Sequence, residues 1–278
     1  NFWFMWATMF AFEPWHSAVE FKRYIHRFNH EFSRINTLEG VDRTPYNQFD
    51  SMILPLMQWL TAKGVNFDKG IRVTNLGFKT MHEEHVVESI YYLRNDTEQK
   101  ISIDADDLVY VTLGSMTAAS SVGSMTTAPK SEPLNAGGSW VLWENIARGR
   151  PEFGHPEVFN SRVDESKWLS FTITFKDSTF FELMEKFSGN QAGTGGLVTF
   201  KDSHWLMSIV LPHQPYFINQ TANTFVCWGY GLFPDKIGNF IPKKMAECTG
   251  AEILTELLGH LQFFTQTPQI LATANCIP

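Results

Sequence analysis

The sequence predicts a mixed α/β fold, and three observations point to it. Apolar residues recur at helical spacing in some segments and alternate in others. Two Ser/Thr-x-x-Glu patterns, Ser17–Glu20 and Thr249–Glu252, mark helix starts. Helices give way to strands in the first half, and the two are mixed in the second, an order that suits layered helix and sheet.

The elements follow in chain order. NFWFMWATMFAF opens with an apolar slab, suited to core or to the wall of an apolar cavity. After Pro14, the Ser17–Glu20 box opens a helix that Val19, Ile25, Phe28 and Phe32 carry to about Ser33. Residues 36–45 form a loop. Asp50 is expected to cap a second helix, SMILPLMQWLTAK, which Pro55 can kink and Gly64 ends. IRVTNLGF, VVESIYYLR and QKISID alternate as strands of an antiparallel layer, while the continuous apolar run of DLVYVTLGS suggests a buried parallel strand. Residues 116–139, rich in Ser, Thr, Ala, Gly and Pro, form a long loop and the clearest boundary. Beyond it WVLWENIA and STFFELMEKF read as helices, and WLSFTITF, GLVTF, HWLMSIVL and NTFVCWGYGLF as strands. Thr249 caps a last helix carrying Ile253, Leu254, Leu257, Leu258 and Leu261.

Composition narrows the function classes. The 278 residues carry a net charge of −7, which argues against nucleic acid as a partner. The opening slab is shorter than the roughly twenty residues of a membrane span and lacks the basic n-region of a secretory signal. Three cysteines share no metal spacing and read as reduced thiols of a cytoplasmic protein. The chain starts without Met and reads as a segment of something longer. Its 24 Phe and 9 Trp suit either a large apolar ligand or dense packing.

Familiar catalytic motifs are few. The sequence holds no HExxH, GxSxG or Walker loop, and GTGG at 193–196 precedes a strand instead of following one, so it fails as a dinucleotide fingerprint. HEEH at 82–85 and the histidines 16, 26 and 30 read as surface or packing, and no metal is expected. A buried strand ending in Gly114-Ser115 would let backbone approach a flat cofactor, and Val73 could present its backbone to an adenine; ordinary sheet connectivity explains both equally well.

Four longer blocks carry a resemblance. FWFMWATMFAFEPWHSAVEFKRYIHRF, YNQFDSMILPLMQWL, TGGLVTFKDSHWLMS and GYGLFPDKIGNFIPKKMAECTGAEI together resemble the FAD-dependent fatty acid hydratases, the oleate hydratases once called myosin-cross-reactive antigens. The resemblance runs essentially end to end. It implies a carbon–oxygen lyase that adds water across the cis double bond of an unsaturated fatty acid such as oleate, giving a 10-hydroxy acid, with FAD bound without net redox change. It also implies that the chain is a middle portion, lacking the GxGxxG lobe and the RGGREM-type block with its catalytic Glu. Residues 1–48 would line the substrate channel, 49–133 would form part of a Rossmann-like FAD lobe, and 134–278 a mixed α+β substrate lobe. An eighteen-carbon chain would give the opening slab a purpose, each buried CH₂ being worth about 0.8 kcal/mol.

Site residues carry over one by one. Tyr24 in KRYIHRF matches the family's catalytic Tyr, and Gln48 in YNQF a Gln that holds the substrate carboxylate. Gly114, Ser115 and Val73 are the expected flavin contacts. The chain departs from the family at Val210-Leu-Pro212-His213-Gln-Pro-Tyr216-Phe, where many relatives carry Thr and Asn at the first and third positions. Pro212 lacks a backbone N–H, so either His213 or Tyr216 takes over head-group contacts or the preferred substrate differs, and His213 reads equally well as a plain loop residue. Transient contact with a membrane surface and a homodimer are compatible with this reading. Two other readings remain open: an FAD-dependent oxidoreductase acting on a lipid, and a non-catalytic fatty-acid-binding protein.

Overall fold

A computed structural model describes residues 2–115, 117, 119–130 and 138–278. From the N-terminus these form α1 (Phe2–Phe10), α2 (Ala18–Phe28) and α3 (Leu54–Ala62), then β1 (Ile71–Met81), β2 (Glu84–Arg94) and β3 (Thr97–Ser102). Helices α4 (Val141–Ala147), α5 (Glu157–Asn160) and α6 (Val163–Ser166) follow, then β4 (Leu169–Phe175) and α7 (Thr179–Ser188). The chain continues through β5 (Val198–Thr199), β6 (Met207–Val210), β7 (Phe225–Gly231), α8 (Gly250–His260), α9 (Thr267–Thr273) and β8 (Ala274–Ile277). It divides into two compact units: Asn1–Trp59 with Ser121–Ser131 and Lys167–Pro278, and Leu60–Ser120 with Glu132–Ser166.

The first unit is built on an antiparallel sheet in the order β5-β6-β7-β4-β8. β4 alternates, with Phe171, Ile173 and Phe175 buried. Ile173 lies in register with Cys227 on one side and Cys276 on the other. This face packs against Phe180, Phe181 and Met184 of α7 and Ile253, Leu254, Leu257 and Leu258 of α8. Each such side chain contributes about 1.5–3 kcal/mol by leaving water. α8 begins on the predicted box: Thr249 Oγ1 accepts from Glu252 N at 3.3 Å, and Glu252 Oε2 accepts from Thr249 N at 2.9 Å.

A smaller apolar cluster joins Leu206, Tyr230 and Leu232 to Ala7 of α1. The Tyr230 hydroxyl donates to the Thr8 carbonyl, and Thr199 Oγ1 donates to Thr8 Oγ1 at 3.1 Å. The opening slab is therefore a helix fixed to the sheet along one side. Trp6, Ala7 and Thr8 are buried, whereas Phe2, Trp3 and Phe4 are exposed.

Two predicted caps need correction. Ser17 Oγ accepts from Val19 N at 3.2 Å, but the Glu20 carboxylate turns to Arg23 at 3.1 Å, so only half of the first box forms. Helical backbone continues past α2 as a 3₁₀ turn, Asn29–Arg34. At the second helix Asn47 takes the role expected of Asp50, its Oδ1 accepting from Asp50 N at 3.0 Å. The turn Phe49–Ile53 is a π-helix in which Leu54 N bonds Phe49 O. Pro55 has no N–H for the regular ladder, and the turn before it widens accordingly.

The second unit holds the antiparallel sheet β1-β2-β3 that the alternation predicts. His82-Glu83 and Asn95-Asp96 close its hairpins, all four with positive φ, as tight two-residue turns require. HEEH is thus a hairpin turn and the strand following it. The predicted strand in DLVYVTLGS does not form: residues 107–115 have no regular structure, with Leu108 80% and Tyr110 90% exposed. A strand needs neighbours to receive its backbone groups, and the described residues pair in antiparallel fashion elsewhere. The mixed α/β class stands, but no parallel pair occurs among the described residues. Part of the loop predicted for 116–139 lies outside the described residues.

Candidate functional site

Tyr24 stands on α2 and is half-buried. Its ring lies 4.8 Å from that of Phe10 and 6.4 Å from that of Phe28. Phe10 in turn packs on Trp6, which is 0% exposed and also meets Phe21, each pair 4.7 Å apart. α1 and α2 therefore set the phenol against two aromatic rings, Phe10 and Phe28. The Tyr24 hydroxyl makes no hydrogen bond to a described residue.

Gln48 is exposed at the start of the π-turn, and its neighbour Asn47 is buried. Asn47 N donates to Tyr216 O at 2.8 Å, and Asn47 Nδ2 donates to the same carbonyl at 3.0 Å. The residue before Gln48 is thereby bonded to the backbone of Tyr216, although the two are far apart in sequence. The turn carrying Tyr216 is held from inside by two amides. Gln220 Oε1 accepts from Tyr216 N at 2.7 Å, and Gln214 Oε1 accepts from Val226 N at 3.1 Å. His213 is exposed beside the GTGG turn. A Cβ on Gly193, whose φ is +81°, would come within 2.7 Å of the His213 backbone. Val210 pairs with Trp228, and the Pro212 carbonyl accepts from Gln214 Nε2 at 3.0 Å. Neither offers a side-chain donor to a carboxylate.

Tyr24 and Gln48 share the first unit without a hydrogen bond or ring contact between them. A small, open cleft lies beside Met184, Asn190, Gln191, Thr194, Val198 and Leu211, and neither Tyr24 nor Gln48 lines it. No group of three or more His, Cys, Asp or Glu among the described residues could hold a metal ion, and no described helix is long and apolar enough to cross a membrane.

The expected flavin contacts lie in the second unit. Gly114 has φ +78°, and a Cβ there would come within 2.7 Å of the Trp140 ring. Gly114 N donates to Ser139 O at 3.2 Å, and Ser115 Oγ lies 3.1 Å from Thr117 Oγ1. Val73 pairs with Tyr92 on the edge strand β1, next to a bulge whose Thr74 carbonyl accepts from Asn145 Nδ2 at 2.8 Å. Gly114 thus lies against the Trp140 ring, while Val73 stands separately on β1.

Sequence reading missed Asn47, Gln214 and Gln220, and gave Asp50 only the role of a cap. The Asn-x-x-Asp spacing in YNQFD was the available signal for Asn47 and Asp50. The glutamines act through the loop's tertiary path and leave no local signal.

The first unit thus combines a phenol set against aromatic rings with a tie, Asn47 to Tyr216, between distant segments. The whole chain, residues 1–278, matches the MCRA family, and it belongs to that family. It is 39% identical over 268 residues to an oleate hydratase of Streptococcus pyogenes serotype M49 (strain NZ131), covering 94% of this chain and 45% of that protein. A linoleate hydratase of Lactiplantibacillus plantarum is 36% identical over 273 residues, covering 94% of this chain and 48% of its own length. The chain thus spans about half the length of these curated relatives.

Proposed function

We propose that the intact protein hydrates the cis double bond of an unsaturated fatty acid such as oleate, yielding a 10-hydroxy acid. The observation that carries this reading is the end-to-end similarity to two hydratases, joined to a half-buried Tyr24 hydroxyl ringed by Phe10 and Phe28. Protonating an unactivated alkene builds positive charge on carbon, which aromatic faces stabilise and a positioned proton donor makes reachable. A lone phenol, with a reference pKa near 10, is a weak acid. Tyr24 therefore works with an acidic partner from the part of the protein outside this chain, one moving the proton and the other orienting water. Gln48 donates its amide N–H to the substrate carboxylate, and Tyr216 and His213 supply the contacts that Val210 and Pro212 do not. Fixing that end decides which carbon meets the donor.

FAD is the proposed cofactor, with Gly114, Ser115 and Val73 as its expected contacts, and it undergoes no net redox change. The protein is proposed to work in the cytoplasm, on fatty acid and water. The test is to incubate the intact protein with FAD and oleate and follow product mass and flavin absorbance. The expected result is a gain of one water with the flavin spectrum unchanged after turnover. Stoichiometric bleaching of the flavin would indicate a lipid oxidoreductase, and oleate binding without product a carrier.

A further inference from the structure

We propose that Asn47 and Asp50 form a positioning clamp that sets the head-group end of the site, an inference that rests on the hydratase reading. Asn47 is 9% exposed and spends its polar groups on two partners. Its backbone N–H and Nδ2 both donate to Tyr216 O, and Nδ2 also donates to Asp50 Oδ2 at 2.7 Å. Asp50 closes the ring: its N–H donates to Asn47 Oδ1 at 3.0 Å, while its Oδ2 accepts from Ile218 N at 2.9 Å. Two backbone positions of the 216–218 turn are thus tied to the residues flanking Gln48.

The bonds differ in strength in a useful way. Those to the Asp50 carboxylate are charge-assisted and stronger than neutral amide pairs. The Tyr216 turn has little freedom of its own, because Gln220 Oε1 accepts from both Tyr216 N and Phe217 N, at 2.7 and 3.2 Å. The turn is therefore bonded to the helix start, and the backbone spacing between Gln48 and Tyr216 becomes a fixed length. In a hydratase that length is a ruler. It holds the carboxylate at one place and the olefin a set number of carbons away. If the ruler slackens, the chain slides by one carbon and water adds at the neighbouring position.

The test uses the intact protein with oleate, measuring kcat, KM and the ratio of 10-hydroxy to 9-hydroxy product. Asp50→Ala is expected to raise KM roughly tenfold, the equivalent of about one hydrogen bond, and to yield measurable 9-hydroxy acid. Asp50→Asn keeps an oxygen for Ile218 N and is expected to restore both readouts. Wild-type KM and a single product from Asp50→Ala overturn the clamp. So does a fall in kcat alone, shared by Asp50→Asn, because a merely structural residue leaves the product ratio unmoved. Should Asp50→Ala fail to fold, Asn47→Ser keeps an acceptor for Asp50 N and the backbone bond to Tyr216 O, and removes the Nδ2 donor to Tyr216 and Asp50. It carries the same expectation, and a single product at wild-type KM overturns the inference. A wild-type protein that leaves oleate unchanged sinks the hydratase reading instead, which separates the two failures.

Discussion

Tyr24→Phe in the intact protein is expected to lower hydroxy acid formation by at least about 10²-fold, the range typical of losing a positioned proton donor. The substitution removes one oxygen and keeps the ring that packs on Phe10 and Phe28. Melting temperature and oleate affinity should therefore stay near wild type, and the loss should fall on kcat. That division matters, because a Tyr serving only to pad the aromatic enclosure would show little change in kcat on conversion to Phe. Near-normal turnover removes Tyr24 from the chemistry.

The largest effect on stability is expected at Glu256. This carboxylate is 0% exposed and accepts from three successive backbone donors, Asn239 N at 2.6 Å, Phe240 N at 2.8 Å and Ile241 N at 2.7 Å. His260 Nε2 lies 3.3 Å from it, one turn along α8. Glu256→Ala strands those donors and is expected to cost about 3–5 kcal/mol, as removal of one partner from a buried charged cluster does. That is a large part of the 5–15 kcal/mol typical of a folded domain. Glu256→Gln keeps an acceptor and should cost less; urea unfolding of both variants measures the difference.

The pH dependence has a definite sign. Burial disfavours the charged Glu256, but His260 and the three N–H groups outweigh it and hold the carboxyl below its ordinary 4.5. A group whose pKa is lower folded than unfolded binds its proton more readily in the unfolded chain. Its stabilisation is present above pH 4.5 and is lost as the pH falls through the lower, folded value. An acid limb identical in wild type and Glu256→Gln would deny the carboxylate that part.

The elements legible in the sequence are those whose signals are local. Thr249 and Glu252 lie within one turn, and their box forms as written. The three strands between residues 71 and 102 pair as their alternating sequence predicts, although β3 is exposed throughout, and two-residue turns join them. Where local patterns were ambiguous, neighbours decided. Glu20 could reach Ser17 or Arg23, and chose the cation. The 107–115 run has the composition of a buried strand, but composition does not provide pairing partners. HWLMSIVL begins its strand only at Met207, after Leu206 adopts φ +47°.

The candidate site divides the same way. Tyr24 and Gln48 were visible because their surrounding blocks resemble a family. The clamp was not, since its central bond joins residues 169 positions apart. No window along the chain contains both ends, and only the folded path of the 212–224 loop brings them together.

The buried sulfurs flanking Ile173 have a practical consequence. Cys227, Cys248 and Cys276 are all free and enclosed, and burial pushes the last two thiols up to about 12 and Cys227 well above its ordinary value. An alkylating reagent in neutral buffer therefore meets essentially no thiolate at these positions while the fold is closed. Labelling must wait for the structure to breathe. Cys227 and Cys276 time the parting of central strands, and Cys248 times the loosening of the turn before α8. Mass spectrometry of modified peptides would turn three inert atoms into separate clocks of local opening.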